Sequence, residues 1–568
     1  MFREFADICE LLGKYSERNR KISILADKLK GLGREEVRVF SHLIIGRIFP
    51  DWQQRTLEIS WATIAHIIID MFKVDRSELV RAIKATGDVG SAVEYIASKR
   101  KIKRQLTLVS FEREVSILDV YDTLNRISEI SGVDARSRKE LLLSSLISRL
   151  SPRELKILIR IIFGDMRHGV NIGILEEAIS KASGIPVEHI IRAYMLLGDI
   201  GEVAEISLFD GYKKLKDVKI RIFRPIKPML ALKAESIKEA LQEHRWKTAF
   251  EFKLDGLRAQ IHKRGSEVRI FSRRLKDVTS SFPEIAELIA ERISANEVVL
   301  EGEIIGIING KPIPFQFLMR RVRRIEDFQY YRRKIPVDIY LFDVLYVDGK
   351  MLIDAPYIER RKILSSIANG LKLVPQLISS KLDEIEEFFE KAVRSGHEGL
   401  VAKKLDSNYT PGTRGKKWLK IKRTLEPLDC VIYAAEWGYG RRKKWLSDYY
   451  LSVWDEKNNK WAIIGKTFKG LSDKEFEEIT RELLKNKIYE RGRTVYVKPT
   501  IVVEIIYDEI QASPKYESGY ALRFARINRI RWDKAPGDAD TLEKVSRIYE
   551  KQFRYKAKIS TLTQRKLG

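Results

Sequence analysis

The run FEFKLDGLR at residues 250–258 combines a strand pattern with a charged end. Phe250, Phe252 and Leu254 alternate with charged residues, which predicts a β-strand with one apolar face and one charged face. Lys253 stands on the charged face, near the end of the predicted strand. Taken alone, such a lysine is best explained as a surface salt-bridge partner, but its position also makes it a candidate covalent nucleophile for a nucleotide.

The chain is strongly basic. Its 105 Lys and Arg residues stand against 79 Asp and Glu residues, which gives a net charge of +26. Basic clusters recur at residues 99–104, 320–324 and 441–444. A single basic run is usually a solvated face, but an excess spread over the whole chain favours a polyanionic partner. The charge therefore indicates a surface that follows a phosphate backbone.

Length and composition limit the class of protein. A chain of 568 residues predicts about three or four domains of ~100–200 residues each. No apolar run approaches the ~18 residues needed to cross a bilayer, and the first residues lack the order of a secretory signal, so we expect an intracellular protein. Cys9 and Cys430 are too few for a disulfide framework or a four-cysteine zinc site.

The pattern of residues changes along the chain. Residues 1–220 have helical periodicity, which predicts an all-α domain. Within it, GDVGSAVE at residues 87–94 is echoed by GDIGEVAE at residues 198–205, and each copy predicts one helix end followed by the N-cap of the next helix. Residues 221–425 mix strand and helix patterns, which predicts an α+β domain. Residues 426–568 show short strands and a final helix, which is typical of a small β-barrel.

Further strand patterns in the α+β region carry charged or aromatic side chains at alternate positions. One such strand is ordinary, because surface strands alternate by default. Several together favour a shared pocket with a metal site, a phosphate site and a base-stacking surface. The side chains are the acids Glu301 and Glu303, the aromatics Tyr340 and Phe342, the acid Glu398 before an apolar run, and the lysines Lys420 and Lys422.

These side chains suit nucleotide chemistry. Lys253 has to lose its proton before it can attack phosphorus, so we expect the cations Lys420 and Lys422 to lower its pKa. Glu303 and Glu398 are suited to hold a divalent ion that neutralises an α-phosphate and a leaving pyrophosphate.

The run KLDGLR at residues 253–258 and its companions resemble the motifs of the nucleotidyltransferase superfamily, which includes ATP-dependent DNA ligases and messenger-RNA capping enzymes. The resemblance spans residues 220–534, and the helical part resembles the DNA-binding domain of archaeal and eukaryotic DNA ligases. The companions are SRR at 272–274, EGE at 301–303, FD at 342–343, EGLVAK at 398–403, WLKIK at 418–422 and RWDK at 531–534.

The resemblance implies a multidomain fold. Residues 1–220 would form an all-α DNA-binding domain and residues 221–425 an α+β nucleotidyltransferase (adenylation) domain. Residues 426–568 would form a β-barrel OB-fold domain with a C-terminal helix.

The resemblance also implies a mechanism with ATP and Mg²⁺ as cofactors. Lys253 would form a phosphoamide bond to AMP, which would pass to a DNA 5′-phosphate before a 3′-hydroxyl displaces it and seals the nick. Glu251 would read the adenine amino group, and Phe342 would stack on the ring. The other expected contacts are Arg258, Arg273 and Glu303 at ribose and phosphate, Arg414 and Lys420 at the triphosphate with Lys422 beside them, and Arg531, Asp533 and Lys534 at the leaving pyrophosphate.

Two other functions fit parts of the sequence. An RNA ligase or capping-type enzyme shares the lysine chemistry but does not typically carry a basic helical domain of about 220 residues. A non-catalytic DNA-binding scaffold would not need every polar position of the motifs. One departure is that many relatives carry Asp where this chain has Glu301, which leaves the role of Glu301 open.

The expected partners follow from the same resemblance. They are nicked double-stranded DNA and a sliding clamp. The run QLTLVSF at residues 105–111 resembles the Gln-x-x-aliphatic-x-x-aromatic pattern that docks on sliding clamps, but Glu112 follows where a second aromatic is usual, and an ordinary loop-to-helix segment is the simpler explanation. We expect a monomer in the cytoplasm, associated with the nucleoid and without membrane contact.

Overall fold

The computed structural model describes residues 1–100, 114–323, 328–423, 425–438 and 442–557. The predicted clamp-binding run at residues 105–111 lies outside these residues. Within them, no helix is both long enough and apolar enough to cross a bilayer. The chain forms a helical N-terminal region, a central region with two sheets and a strand-rich C-terminal region.

The N-terminal region is helical throughout and packs around one apolar core. The helices are α1 (Phe2–Lys14), α2 (Arg18–Lys30), α3 (Arg34–Leu43), α4 (Trp61–Phe72), α5 (Arg76–Thr86), α6 (Val89–Lys99), α7 (Ile117–Glu129), α8 (Ala135–Ser148), α9 (Pro152–Phe163), α10 (Ile172–Ser183), α11 (Val187–Leu197), α12 (Ile200–Glu205) and α13 (Gly211–Lys216).

The repeated Gly-Asp sequence ends one helix and starts the next, as predicted. Gly87 and Gly198 adopt left-handed backbone conformations, with φ of +79° and +63°, at the ends of α5 and α11. The carboxylates of Asp88 and Asp199 then accept hydrogen bonds from the third backbone N–H of α6 and α12. The capping interpretation is confirmed.

The second glycine of each repeat has a packing role that the capping pattern does not reveal. A Cβ atom at Gly90 would lie 2.9 Å from the carbonyl oxygen of Lys156 on α9. A Cβ atom at Gly201 would lie 2.6 Å from the carbonyl oxygen of Arg38 on α3. Each glycine therefore lets a helix start pack directly on the backbone of a neighbouring helix.

The central region contains two sheets, ordered β1-β11-β10-β2-β9 and β4-β3-β5-β7-β8, with β6 paired to β5. Helices cover these sheets, and a separate apolar core lies at each. The elements are β1 (Leu230–Lys233), α14 (Ile237–Glu243), β2 (Thr248–Phe252), β3 (Leu257–Arg264), β4 (Glu267–Ser272), α15 (Pro283–Arg292), β5 (Glu297–Ile308), β6 (Lys311–Pro312), α16 (Phe315–Arg323), α17 (Phe328–Lys334), β7 (Val337–Val347), β8 (Lys350–Met351), α18 (Tyr357–Ile367), β9 (Gln376–Ile378), α19 (Leu382–Arg394), β10 (Gly399–Lys404) and β11 (Arg414–Lys422).

The predicted strand at residues 250–255 differs from the observed one in two ways. Strand β2 ends at Phe252, and the chain then crosses to the other sheet, where β3 begins. All of β2 is buried, so its second face is not a charged surface. Glu251 can be buried because Lys403 on the neighbouring strand forms an ion pair with it at 2.6 Å.

The C-terminal region is rich in strands, ordered β14-β13-β12-β16-β15, with β17 paired to β12 and β20. It has its own apolar core, and β18 and β19 form a separate pair. The elements are β12 (Leu428–Trp437), β13 (Leu446–Asp455), β14 (Lys460–Thr467), α20 (Asp473–Lys485), β15 (Lys487–Arg491), β16 (Thr494–Val497), β17 (Val502–Ile506), β18 (Glu509–Ala512), β19 (Tyr520–Arg523), β20 (Arg526–Ile530) and α21 (Leu542–Gln552).

A buried ion pair between Asp343 on β7 and Arg360 on α18 gives a test of the central region. Both side chains are fully buried and make two hydrogen bonds, at 2.7 and 2.9 Å. Asp343→Ala leaves the guanidinium of Arg360 buried without its carboxylate, so we expect the free energy of unfolding to fall by about 3–5 kcal/mol. Asp338→Ala on the same strand removes the partner of the exposed Lys372 and should cost about 0–1 kcal/mol. Urea unfolding of both variants measures this difference, and equal losses would contradict it.

Candidate active site

Lys253 lies in the turn that carries the chain from β2 of one sheet to β3 of the other. Its backbone N–H donates to the carbonyl oxygen of Gly399 at 2.8 Å, and its carbonyl accepts from the N–H of Glu398 at 3.0 Å. The turn passes very close to the second sheet, because a Cβ atom at Gly256 would lie 2.3 Å from the carbonyl oxygen of Ile304 on β5. Only glycine fits there, which explains the Lys-x-Asp-Gly sequence in physical terms.

The carboxylate of Glu398 holds two lysines at once. Its Oε2 atom lies 2.9 Å from Nζ of Lys253 and 2.5 Å from Nζ of Lys422. Burial disfavours the charge of Lys253, but the negative charge of Glu398 and the hydrogen bond to it outweigh burial and raise the pKa of Lys253. The expectation that Lys420 and Lys422 lower the pKa of Lys253 is therefore wrong for this arrangement, because Lys422 shares the carboxylate with Lys253.

The pKa of Lys420 shifts in the opposite direction. Burial lowers its pKa, and the positive charges of Lys422 and Lys253 lower it further. Its neighbour across the sheet is Val401 on β10.

The acids Glu301 and Glu303 on β5 have different surroundings. Glu301 is fully buried and lies 2.6 Å from Nη2 of Arg258. The role that the sequence leaves open is therefore, in this structure, to hold Arg258 on the neighbouring strand. Among the described contacts no side chain pairs with Glu303, and burial raises its pKa to about 8 despite the charges of Lys253 and Arg258. A half-buried carboxyl group without a described partner is a position that a cation would complete.

Glu303 and Glu398 fit a magnesium site of a specific kind. The described residues contain no cluster of three or more acids, histidines or cysteines, so the protein offers no complete set of ligands. Mg²⁺ is commonly bound by one or two carboxylates together with substrate phosphates and water. Two acids that both influence the charge of Lys253 match that donor set.

Aromatic rings and a buried lysine lie beside Glu251. The carboxylate of Glu251 accepts hydrogen bonds from the hydroxyl group of Tyr357 and from Lys403. Nζ of Lys403 lies 4.5 Å from the ring centres of both Phe342 and Trp418. The residues Lys403, Tyr357 and Trp418 are not among the predicted site residues, although Lys403 and Trp418 lie inside the motifs given above. The alternating pattern could not show that a lysine in an apolar run is buried against aromatic rings.

A group of cations surrounds the open part of the pocket. Burial and the positive charges of Arg258 and Arg414 lower the pKa of Arg273. The exposed Arg273 side chain therefore lies in a positive field, which a chain of phosphates would neutralise. The structure brings Lys253, Arg258, Glu303, Arg273, Arg414 and Lys420 into one electrostatic cluster.

Arg531 and Lys534 are not brought to this cluster. Arg531 pairs with Asp533 at 2.7 Å and contacts Asp429 at 3.4 Å, and Lys534 pairs with Asp429 at 2.6 Å. Within the described residues, these contacts all lie inside the C-terminal region. That region instead reaches the Lys253 turn through Lys556, which forms an ion pair with Asp255.

Comparison with known proteins assigns all three regions to one family. Residues 228–422 match the family described as an ATP dependent DNA ligase domain, residues 1–177 match a DNA ligase N terminus, and residues 442–534 match an ATP dependent DNA ligase C terminal region. The chain belongs to the ATP-dependent DNA ligases. It is therefore an enzyme that seals nicks in DNA with ATP, and this excludes the capping-type, RNA-ligase and scaffold alternatives.

Full-length relatives have the same organisation as this ligase. A DNA ligase from Thermococcus fumicolans is 40% identical and covers 98% of this chain and 100% of its own length. A DNA ligase 1 from Korarchaeum cryptofilum (strain OPF8) is 43% identical over 98% of this chain and 99% of its own. A solved structure titled Pmar-Lig_PreS3 has a similar fold, with a TM-score of 0.56 at 18% identity, and covers 93% of this chain and 99% of its own.

The close approach at Gly256 generates a prediction for the ligase. Gly256→Ala places a methyl group against the carbonyl of Ile304, so the Lys253 turn has to move away from β5. Since a misplacement of about 1 Å can cost about 100-fold in rate, we expect transfer of label from ATP to the protein to slow by about that factor. Gly537→Ala, where a Cβ atom would meet nothing within 4 Å and the backbone φ is not positive, is the control for glycine replacement. A labelling rate in Gly256→Ala that equals that of the control would contradict the close-approach argument.

Proposed function

We propose that the ligase works through a covalent lysine–AMP intermediate on Lys253. In the first step, Nζ of Lys253 attacks the α-phosphorus of ATP, a P–N bond forms, and the bond to the bridging oxygen of pyrophosphate breaks. AMP then passes to the 5′-phosphate at a nick in double-stranded DNA, and the 3′-hydroxyl displaces AMP to form the phosphodiester. The supporting observation is the position of Lys253, at the crossing of the two sheets, beside two carboxylates and a group of cations.

The pocket residues divide by the part of ATP that they contact in this proposal. Phe342 stacks on the adenine, and Glu251 accepts from its amino group while Lys403 and Tyr357 hold that carboxylate in place. The residues at ribose and phosphate are Arg258, Arg273 and Glu303, and those at the triphosphate are Arg414, Lys420 and Lys422.

Mg²⁺ is the proposed divalent ion, held by Glu303 and Glu398. When bound, it supplies charge neutralisation at the α-phosphate and the leaving pyrophosphate. Lys253 has to be neutral to attack, so its contact with Glu398 opens and its proton passes to solvent water before the P–N bond forms. Glu398 then keeps Lys422 as its protein partner.

The C-terminal region completes the proposal. We assign it an OB-fold with a C-terminal helix at residues 426–568, next to an adenylation domain at residues 221–425 and a DNA-binding domain at residues 1–220. Arg531 and Lys534 orient the leaving pyrophosphate, so their contacts with Asp429 exchange for contacts with the nucleotide during the first step. The working form is a monomer in the cytoplasm, associated with the nucleoid, that binds a sliding clamp through residues 105–111.

The covalent intermediate is tested with ATP labelled at the α-phosphate. We expect the wild-type ligase to retain the label under denaturing conditions and Lys253→Ala to retain none. Lys350→Ala removes an exposed lysine from the β8 hairpin and should label like the wild type. Label that remains attached to Lys253→Ala would overturn the proposal. Parallel labelling with ADP in place of ATP, and with labelled GTP, defines the nucleotide that the first step accepts.

The metal site is tested at Glu303, because this side chain has no partner among the described residues that its removal would disturb. Glu303→Gln keeps the size of the side chain but removes its charge, so we expect the Mg²⁺ concentration for half-maximal labelling to rise by at least about tenfold, the cost of losing one charged ligand. Direct binding of Mn²⁺, followed by electron paramagnetic resonance, should weaken in parallel. The control is Glu267→Gln, which changes an exposed residue on β4. Unchanged Mn²⁺ affinity in Glu303→Gln would contradict this assignment.

A further inference from the structure

A glutamine of the N-terminal region forms hydrogen bonds with the backbone of a loop in the proposed nucleotide pocket. Nε2 of Gln54 donates to the carbonyl oxygen of Leu275 at 2.5 Å. Oε1 of the same side chain accepts from the backbone N–H of Asp277 at 3.1 Å. The side-chain amide of Gln54 therefore pairs with both a carbonyl and an N–H of a single loop. Gln54 and Leu275 are 221 residues apart in the sequence.

The loop that Gln54 contacts carries Arg273 and Arg274. It follows β4 and folds back on itself, because the N–H of Leu275 donates to the carbonyl of Ser272 and the N–H of Ser272 donates to the carbonyl of Lys276, both at 2.8 Å. The two arginines are exposed at its tip. The hydrogen bonds of Gln54 to Leu275 and Asp277 therefore hold the backbone that directly follows the two arginines.

Both partners of the contact have left-handed backbone conformations. The φ angle is +57° at Gln54 and +63° at Leu275. Neither residue is a glycine, so each conformation is disfavoured and persists only where surrounding contacts hold it. The hydrogen bonds of Gln54 to the loop, and to the carbonyl of Asp51 in its own turn at 2.7 Å, are contacts of this kind.

We propose that Gln54 is a positioning residue for the nucleotide pocket. It acts through Arg273, whose contact with ribose and phosphate belongs to the proposed function on which this inference rests. Gln54 lies in the N-terminal region of the ligase and not in the region that holds ATP. The docked position of the N-terminal region therefore sets the affinity of the ligase for ATP in the first step, before any DNA is joined.

A second contact between the same two regions supports a defined docked arrangement. Arg192 on α11 makes a two-pronged ion pair with Asp354, at 2.5 and 3.0 Å. Near it, Met195 and Leu196 of α11 and Tyr409 of the central region line a cavity of about 180 Å³. The N–H of Met229 donates to the hydroxyl of Tyr409, and the carbonyl of Met229 accepts from Arg258. The N-terminal region thus contacts the central region at two separate places.

The first test measures formation of the lysine–AMP adduct at varied ATP concentration, without DNA. Gln54→Ala removes both hydrogen bonds to the loop, so we expect the KM for ATP to rise on the order of fivefold to tenfold, with the rate at saturating ATP close to that of the wild type. Gln54→Glu keeps an acceptor for Asp277 but sets an oxygen against the carbonyl of Leu275, and its KM should rise further. Gln53→Ala, on the same turn and without a described contact to the loop, is the matched control.

The second test asks whether Gln54 acts through Arg273. If it does, Gln54→Ala raises the KM of the wild type but has no further effect in an Arg273→Ala background, since the effects of coupled residues do not add. Additive effects would overturn the inference, because a purely structural role of Gln54 would act in both backgrounds. An unchanged KM in Gln54→Ala would also overturn it. The proposed function fails separately, by label retained on Lys253→Ala.

Discussion

The active site depends on two places where backbones approach each other more closely than any side chain allows. A Cβ atom at Gly256 would lie 2.3 Å from the carbonyl of Ile304, and one at Gly399 would lie 2.3 Å from the carbonyl of Ile421. The first contact presses the Lys253 turn onto β5, and the second presses the start of β10 onto β11. Together they bring Lys253, Glu303, Glu398 and Lys422 from separate segments of the chain into one pocket. The chemistry is therefore positioned by backbone packing before any side chain contributes.

The charges of the pocket favour nucleotide binding at the expense of the stability of the free protein. Arg258, Arg273, Arg414 and Lys420 gather on one side, and the structure lowers the pKa of two of them, Arg273 and Lys420. Glu303, in contrast, is a half-buried acid with a raised pKa and no partner among the described residues. Like charges held together in this way cost stability in the free protein, and a nucleotide triphosphate with a divalent ion relieves both sides at once.

The sequence predicts the helical region and the helix starts from local spacing, whereas many of the pocket residues are expected from the family resemblance. Alternation locates β2, and the Gly-Asp repeats locate two helix starts, since caps and periodicity involve only neighbouring residues. The burial of Glu251 and the raised pKa of Lys253 are not predictable in this way. Both depend on partners from distant strands, Lys403 and Glu398. The contact of Gln54 with Leu275 depends on how two regions dock, which no local pattern encodes.

The ion pair between Lys556 and Asp255 bears on how ligases of this kind diverge. Asp255 belongs to the turn that carries Lys253, whereas Lys556 follows α21. Ala557 beside it also donates to the carbonyl of Pro312 in the central region. The segment after α21 is thus part of the surroundings of Lys253. A chimera that takes its C-terminal region from another ligase inherits a foreign neighbour for Asp255, so the two segments have to be exchanged, or to evolve, as a pair.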